Sequence, residues 1–573
     1  MSQTSPAAAP RLSETERRLI ETNGIEIIDE AERTARPRDL FWPWFAANVS
    51  VFGISYASYV FGFGINLAQA LLVTVLGVVA SFLACGIIAI AGKRGSAPTM
   101  VLSRAAFGVN GQKVPGVFSW LISMGWETFL AIMAVLATAT VFTQLGWGGG
   151  TTTSVLACAV IAALIVGASV AGYHTIMRLQ SILTWLTGAA TIAYILMTLD
   201  RIDLAAVTSR EAGPTEAVIG ALVMLMTGFG LGWINIAADW SRYQSRDASG
   251  GAIVLWNTLG GALAPTLLVI YGLLLIGSQP ELEEGIVNDP IGTLATILPI
   301  WFLVPFLLAA VLALVSGAVL GIYSSGLTLL SLGIDIPRPA AALIDGTILT
   351  LGTIYVVFFA QSFLAPFQSF LITLGVPIAA WAGILMADVA LRRKDYDERA
   401  LFDPRGRYGD WNWTAIGIMV TASLIGWGLV INLFADAAAW NNWQGYLLGP
   451  LGLGGKEGTW AWANLGSDRS AWAARRAPGR GPTSVYSWRW PSVSSAGSSW
   501  AAPSSGVRRA TSEARYAAPR AGGQPRRGER GVTDGRGSAQ CSVCLPRLSS
   551  WCSWWSSPWP STSPTASTTP PTR

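Results

Sequence analysis

Residues 114–173 carry a single charge, Glu127. A charged side chain at the centre of a bilayer-spanning helix costs roughly 2.5–3.5 kcal/mol on insertion scales. Such a carboxyl faces a cavity, holds a proton or has a partner. It could accept a hydrogen bond from an amine or ring N–H of a bound molecule, or carry a coupling proton. It could equally be a protonated glutamate bonded between helices. Two glycine-bearing runs stand in other apolar stretches: Val51-Phe-Gly-Ile-Ser-Tyr56, with Gly53 and Ser55, and Gly228-Phe-Gly-Leu-Gly-Trp233. Glycine in membrane helices often serves close packing alone. Interrupted helices at matching positions of two halves point instead to a midplane site, where freed backbone groups can hold a substrate and an ion.

The elements that must position these residues are apolar stretches long enough to cross a bilayer. A spanning helix needs about 20 apolar residues. No charge occurs from Leu40 to Gly92, which therefore holds two spans, and residues 114–173 hold two more. Single spans are expected at 179–199, 217–238, 248–280, 290–334 and 411–435, with a pair at 346–387. The chain thus reads as an all-α polytopic membrane protein with eleven visible spans, its backbone hydrogen bonds satisfied within a helical bundle. The two glycine runs lie in spans 1 and 6, corresponding members of two five-helix halves.

Charge fixes the expected orientation. Of the 23 Lys and Arg up to Gly466, 20 fall in the N-terminal arm and the even-numbered connections. The odd-numbered connections carry almost none, and 278–290 is purely acidic, with Glu281, Glu283, Glu284 and Asp289. Lys and Arg stay cytoplasmic, so the N-terminus is expected inside a cell membrane. Residues 1–39 are polar, which suits a cytoplasmic arm with a short helix started by Ser13 and Glu16 and does not suit a cleavable signal peptide. A single transmembrane domain is expected over 40–466.

From Ser467 the composition changes. The last 107 residues contain 15 Arg, no Lys, 4 acidic residues, 8 Trp and no Ile, Phe, Met, Asn or His. A GC-rich gene read out of frame gives this mixture. Residues 467–573 are therefore expected to be an aberrant, frameshifted tail, with a genuine disordered extension as the alternative. The formal charge of +5 divides into about +11 there and about −6 before it, so the high pI is no argument for nucleic acid. Cys541 and Cys544 form a lone CxxC, which is weak as a zinc motif. Cys85 and Cys158 lie in spans and read as packing residues.

Several motifs resemble the purine–cytosine permease branch of the nucleobase–cation symporter-1 family. They are Asp39-Leu-Phe-Trp-Pro-Trp-Phe-Ala-Ala-Asn48, Met124-Gly-Trp126, Gly232-Trp-Ile-Asn-Ile-Ala-Ala-Asp-Trp-Ser-Arg-Tyr243, Ile322-Tyr-Ser-Ser325 and Phe367-Gln-Ser-Phe-Leu371. The similarity runs in order from about Asn23 to Gly466. It implies a LeuT-like bundle of two inverted five-helix repeats plus two helices. Twelve spans would then be expected, the twelfth starting near Trp460–Gly466. The resemblance also implies a secondary active importer of a nucleobase with a cation. Trp126 matches the family's stacking tryptophan, and Trp233 matches a second aromatic, with Phe229 as its rival. The alternative for both indoles is packing or an interfacial belt, since 18 Trp precede residue 467. Gly317 and Gly321 stand where fungal-type relatives carry Asn, so a base-edge reader is missing and Gly321 lies beside the base. Ser316 matches a hydroxyl that binds sodium together with carbonyls near Gly53. The coupling ion is proton or sodium.

Asn48, Ser55, Tyr56 and Asn235 are further polar candidates. Asp239 and Asp388 read as structural ion pairs with Arg242 and Arg392. The lone His174, at the end of span 4, excludes histidine-cluster metal or haem chemistry in the bundle. No P-loop is present, and no cofactor is expected. The alternatives are an allantoin- or hydantoin-type carrier, or a non-transporting or defective product lacking its last span. An enzyme is a more distant rival, because no nucleophile–base or metal constellation appears. The expected partners are a small heterocycle, the cation and the lipid bilayer.

The tail reading predicts that another frame around codon 466 encodes roughly 20 further apolar residues. Translation of the nucleotide sequence in all frames checks this, and two polar alternative frames would contradict it.

Overall fold

The computed structural model describes residues 24–286, 289–360, 364–430, 443–447 and 450–451. The expected twelfth span near 460–466, the tail with Cys541 and Cys544, and the arm before residue 24 lie outside them. Among the described residues, nine helices are long and apolar enough to cross a bilayer, and the bent pair Pro37–Asn48 and Phe52–Gly62 makes a tenth. Trp413–Leu429 is an eleventh, apolar but 17 residues long.

In chain order, span 1 is Phe41–Asn48 with Phe52–Gly62, span 2 Leu67–Gly95, span 3 Lys113–Gln144, span 4 Thr151–Ala171 and span 5 Tyr173–Thr198. Span 6 is Thr215–Gly228 continued by Gly230–Trp233 and Ile234–Ile236. Span 7 is Gly250–Ser278, span 8 Ile300–Ser331, span 9 Arg338–Phe359, span 10 Leu364–Leu391 and span 11 Trp413–Leu429. The two halves echo each other. Spans 1 and 6 are broken. Short helices follow span 2 (Thr99–Leu102, Arg104–Phe107) and, at the matching place, span 7 (Pro280–Ile286, Pro290–Ala295). This is the pattern expected of two five-helix repeats.

Local chemistry sets the boundaries. Asn66 starts span 2 with a reciprocal capping box to Gln69. Gly172, at φ +94°, is the only residue between spans 4 and 5, a backbone state that L side chains rarely adopt. Span 5 therefore begins at Tyr173 rather than 179, and His174 lies in its first turn. The stretch 290–334 is not one span: Pro290–Ala295 is a separate helix and span 8 starts after Pro299. Span 9 starts at Arg338 rather than 346, which puts Asp345 inside it.

Spans 3 and 8 pack along each other and span 7 packs against spans 1 and 2. Leucines and aromatics such as Leu72, Leu156, Trp185, Leu196 and Leu351 point outward, an apolar belt suited to lipid. The basic connections gather at one end. Arg33 donates to the Lys93 carbonyl at 2.6 Å, Arg94 to Val389 at 2.7 Å, and Arg246 pairs with Glu30 and Glu398. The other end joins the weakly charged or acidic connections: Gln69 donates to Gly213 and Thr140 to Asp289.

The two expected ion pairs differ. Asp388 pairs with Arg392 through both oxygens, at 2.5 and 3.0 Å, and accepts from the Tyr396 hydroxyl at 2.9 Å. Asp239 instead accepts at Oδ1 from the Thr99 N–H and hydroxyl, each at 2.7 Å. Arg242 turns to the Gly24 carbonyl and the Tyr323 hydroxyl, both at 2.8 Å. The contact anchors the short helix after span 2 to the chain after span 6. Burial pushes the Asp239 carboxyl up to about 6, held back by the Thr99 bonds, the Ser324 hydroxyl and the charge of Arg242.

Asp239→Asn keeps an oxygen for both Thr99 donors and is expected to leave thermal stability near the parent's. Asp239→Ala leaves two buried donors unpaired, at about 1–3 kcal/mol each, and should lower the melting temperature clearly. Equal losses in the two variants would restore the ion-pair reading.

Candidate functional site

The break in span 1 lies at Val49–Val51, upstream of the glycine expected to mark it. Val49 leaves the helical region at ψ 74°, and helix resumes at Phe52. Gly53 is inside the second helix, where an added Cβ would stand 3.3 Å from the Leu268 side chain of span 7. It marks a close packing contact one turn from the opening. Asn48 and Ser50 shape the break: the Asn48 amide donates to the Trp44 carbonyl at 2.8 Å, and the Ser50 hydroxyl accepts from the Phe52 N–H at 3.2 Å.

The break in span 6 falls at Phe229, as the glycine-rich run led one to expect. Span 2 covers its backbone. The Ser81 hydroxyl accepts from the Gly230 N–H at 3.1 Å, and the Cys85 thiol donates to the Gly230 carbonyl at 2.9 Å. A Cβ at Gly230 would come within 2.3 Å of the Ser81 backbone, so the approach requires glycine. The two breaks are tied directly, because the Tyr56 hydroxyl donates to the Gly228 carbonyl at 3.2 Å.

Between the breaks is a small cavity of about 80 Å³. Span 1 lines it with Ala47, Asn48, Ser50, Phe52, Gly53 and Tyr56. Span 3 gives Ser123, Trp126, Glu127 and Leu130, span 6 gives Phe229, Gly232 and Trp233 among others, and span 8 gives Gly317 and Gly321. The structure thus brings together Trp126, Glu127, Trp233, Phe229, Gly321 and Gly53. Ser316 is not on the wall. Its hydroxyl donates to the Gln180 side chain of span 5, whose amide returns a bond to the Ser316 carbonyl at 3.1 Å.

Both rival aromatics of span 6 reach the cavity. Phe229 lies with its ring 4.5 Å from that of Tyr56, and Trp233 meets Trp44 edge to face at 6.0 Å. Trp126 is held at its edge by Phe129 and Phe367, at 5.7 and 5.6 Å. A Cβ on Gly232 would stand 3.3 Å from its indole nitrogen, so the missing side chain lets span 6 lie against the ring. Asn235 is turned away and donates to Ser119 and Ser123 of span 3. Ser55 donates to its own helix at Phe52.

Glu127 is 1 % exposed, and its Oε1 has no hydrogen-bond partner among the described residues. Gly321 makes room for it, since a Cβ there would be 2.5 Å from Glu127 Cγ. The other oxygen, Oε2, lies 3.3 Å from the Ser325 hydroxyl, which itself bonds Asp345 at 2.7 Å. Asp345 was missed by the sequence reading. The signal was present: Asp345 is the sole charge in residues 339–387, as Glu127 is in 114–173.

Residues 27–449 match the family described as permease for cytosine/purines, uracil, thiamine, allantoin. The chain belongs to this family. The resemblance to nucleobase–cation symporters read from its motifs therefore holds. "Putative purine-cytosine permease YxlA" of Bacillus subtilis (strain 168) is 22 % identical over 410 residues, 71 % of this chain and 87 % of that protein. In fold, the permease is similar to Mhp1, a nucleobase-cation-symport-1 family transporter, in a closed conformation with bromovinylhydantoin bound. The TM-score is 0.54 at 18 % identity, over 78 % of this chain and 99 % of that one. The inward-facing conformation of Mhp1 gives 0.53 at 17 % identity, over 78 % and 98 %. The permease thus has the all-helical, multi-pass Mhp1 architecture.

Proposed function

We propose that this permease is a secondary active importer that carries a flat nucleobase, purine- or cytosine-like, together with a proton by alternating access. The observation that carries the reading is the cavity itself. Two broken spans meet there, aromatic rings of spans 3 and 6 supply stacking faces, and the wall's carboxyl, Glu127, keeps an oxygen without a hydrogen-bond partner among the described residues. A nucleobase needs such a face and an in-plane acceptor for its N–H groups. The spans then rearrange about this midplane site to open it to either side. Proton is preferred over sodium because Glu127 stands on the wall, whereas the Ser316 hydroxyl is engaged by Gln180. The end that gathers Lys and Arg is assigned to the cytoplasm with the N-terminus.

A second reading, a carrier of allantoin- or hydantoin-type rings, draws on span 8. Gly317 and Gly321 present no amide to read a base edge, and the Asn48 amide is already bonded to Trp44.

Uptake of labelled cytosine, adenine, hypoxanthine, uracil and allantoin by cells making the full chain separates these readings. Trp126→Ala should lose about 1–3 kcal/mol of binding, roughly 5- to 150-fold in affinity, and Trp126→Phe should keep part of it. Glu127→Gln should still bind but lose pH-driven accumulation. Sodium-dependent, pH-insensitive uptake by the parent would contradict proton coupling and promote Ser316 with the Gly53 region.

A further inference from the structure

Two buried carboxyls share one hydroxyl beside the cavity. Glu127 on span 3 and Asp345 on span 9 are 1 % and 0 % exposed. Ser325 on span 8 stands between them, with Oγ 2.7 Å from Asp345 Oδ2 and 3.3 Å from Glu127 Oε2. The other Asp345 oxygen accepts from the Trp120 indole N–H at 3.0 Å. No cation pairs with either carboxyl among the described residues. Arg338, at the start of span 9, donates to the Ser169 and Val170 carbonyls and lies over the Tyr323 ring. Lys113 is at the far end of span 3, near Gly333. The Tyr56 hydroxyl of span 1 is directed to Gly228. Span 4 carries no charged residue, and span 10 meets the site region through Phe367 and Phe370.

A serine hydroxyl has one proton to donate and lone pairs to accept with. It cannot donate to two carboxylates at once. Both contacts are hydrogen bonds only if one carboxyl brings its own proton. Two bare carboxylates in this low-dielectric, cation-free place would also repel each other.

We infer that Asp345 is a second proton-carrying residue of the permease, joined to Glu127 through Ser325, so that one proton is shared by the pair and passes between the cavity and span 9. In the transfer, the Glu127 Oε2–H bond breaks as the proton moves to Ser325 Oγ. The original Ser325 proton passes to Asp345 Oδ2. No atom is gained or lost, and the negative charge moves from Asp345 to Glu127. The direction follows from the helices. Trp120, the other partner of Asp345, is seven residues before Glu127, about 10 Å along span 3. The relay thus leads from the cavity toward the end where the basic connections gather. Trp120 acts as a positioning residue that fixes the Asp345 carboxyl.

This inference rests on the proton-coupled reading of the same site, and its test separates the two. Infrared pH-difference spectra of the full chain in lipid nanodiscs read carboxyl protonation without any substrate. The parent should show a protonated-carboxyl signal that changes in both Glu127→Gln and Asp345→Asn. Ser325→Ala, which keeps both carboxyls, should shift that signal. Spectra of folded Asp345→Asn and Ser325→Ala that match the parent would overturn the relay, whatever is transported. In parallel, proteoliposomes are loaded with labelled cytosine or adenine under a pH gradient. Asp345→Asn should cut accumulation about tenfold or more while equilibrium binding at fixed pH stays within about threefold, or less than 1 kcal/mol. Undiminished pH-driven accumulation in Asp345→Asn would also overturn it. The expected spectra with no uptake of either base by the parent would support the carboxyl pair and reject the transport reading.

Discussion

Within a bilayer every backbone N–H and C=O must find its partner inside the protein, and this permease breaks two helices where the requirement is hardest to meet. The breaks persist because neighbours supply what the helix gave up. Ser81 and Cys85 of span 2 serve the Gly230 backbone. Ser50 serves the restart of span 1, and Tyr56 spans from one break to the carbonyl of the other. Ser81 and Cys85 are short polar side chains on an otherwise apolar helix, Ser50 lies in the break itself, and Tyr56 reaches across with its ring hydroxyl. The cavity is the space these substitutions keep open.

Polar groups facing that space are few. Much of the local polarity is spent on the protein itself: Asn48 on Trp44, Asn235 on span 3, Ser316 on Gln180. Glu127 is different: among the described residues its Oε1 has no hydrogen-bond partner, and Oε2 is directed to Ser325. Its neighbours are mostly rings and glycines. That division, apolar faces with one carboxyl, suits a planar molecule with N–H groups, and Ser325 joins the carboxyl to the buried Asp345.

Long apolar runs made the multi-span architecture legible in the sequence, because a bilayer requires them, and the motif resemblance supplied the repeat arrangement. Glu127 was legible because a lone carboxyl in a charge-free run is conspicuous, and Trp126 through its match to the family motif; both line the cavity. The break in span 1 was misplaced because glycine serves close packing as readily as interruption, and Gly53 does the former against Leu268. Asp345 was passed over because span 9 was expected to start at 346, just after it, although the helix begins at Arg338. The partners of Ser316 and Asp239 could not be read at all. Gln180 and Thr99 are distant in sequence, and only the bundle brings them near.

The central claim is that the space between the broken spans is the substrate site and that Trp126 and Glu127 form it. Electron cryomicroscopy of the full chain in nanodiscs, with and without saturating cytosine or adenine, tests it most directly. The account predicts ring-shaped density against the Trp126 indole with an edge at Glu127, present only with the base. Base-dependent density elsewhere in the bundle, with this cavity unchanged, would contradict it.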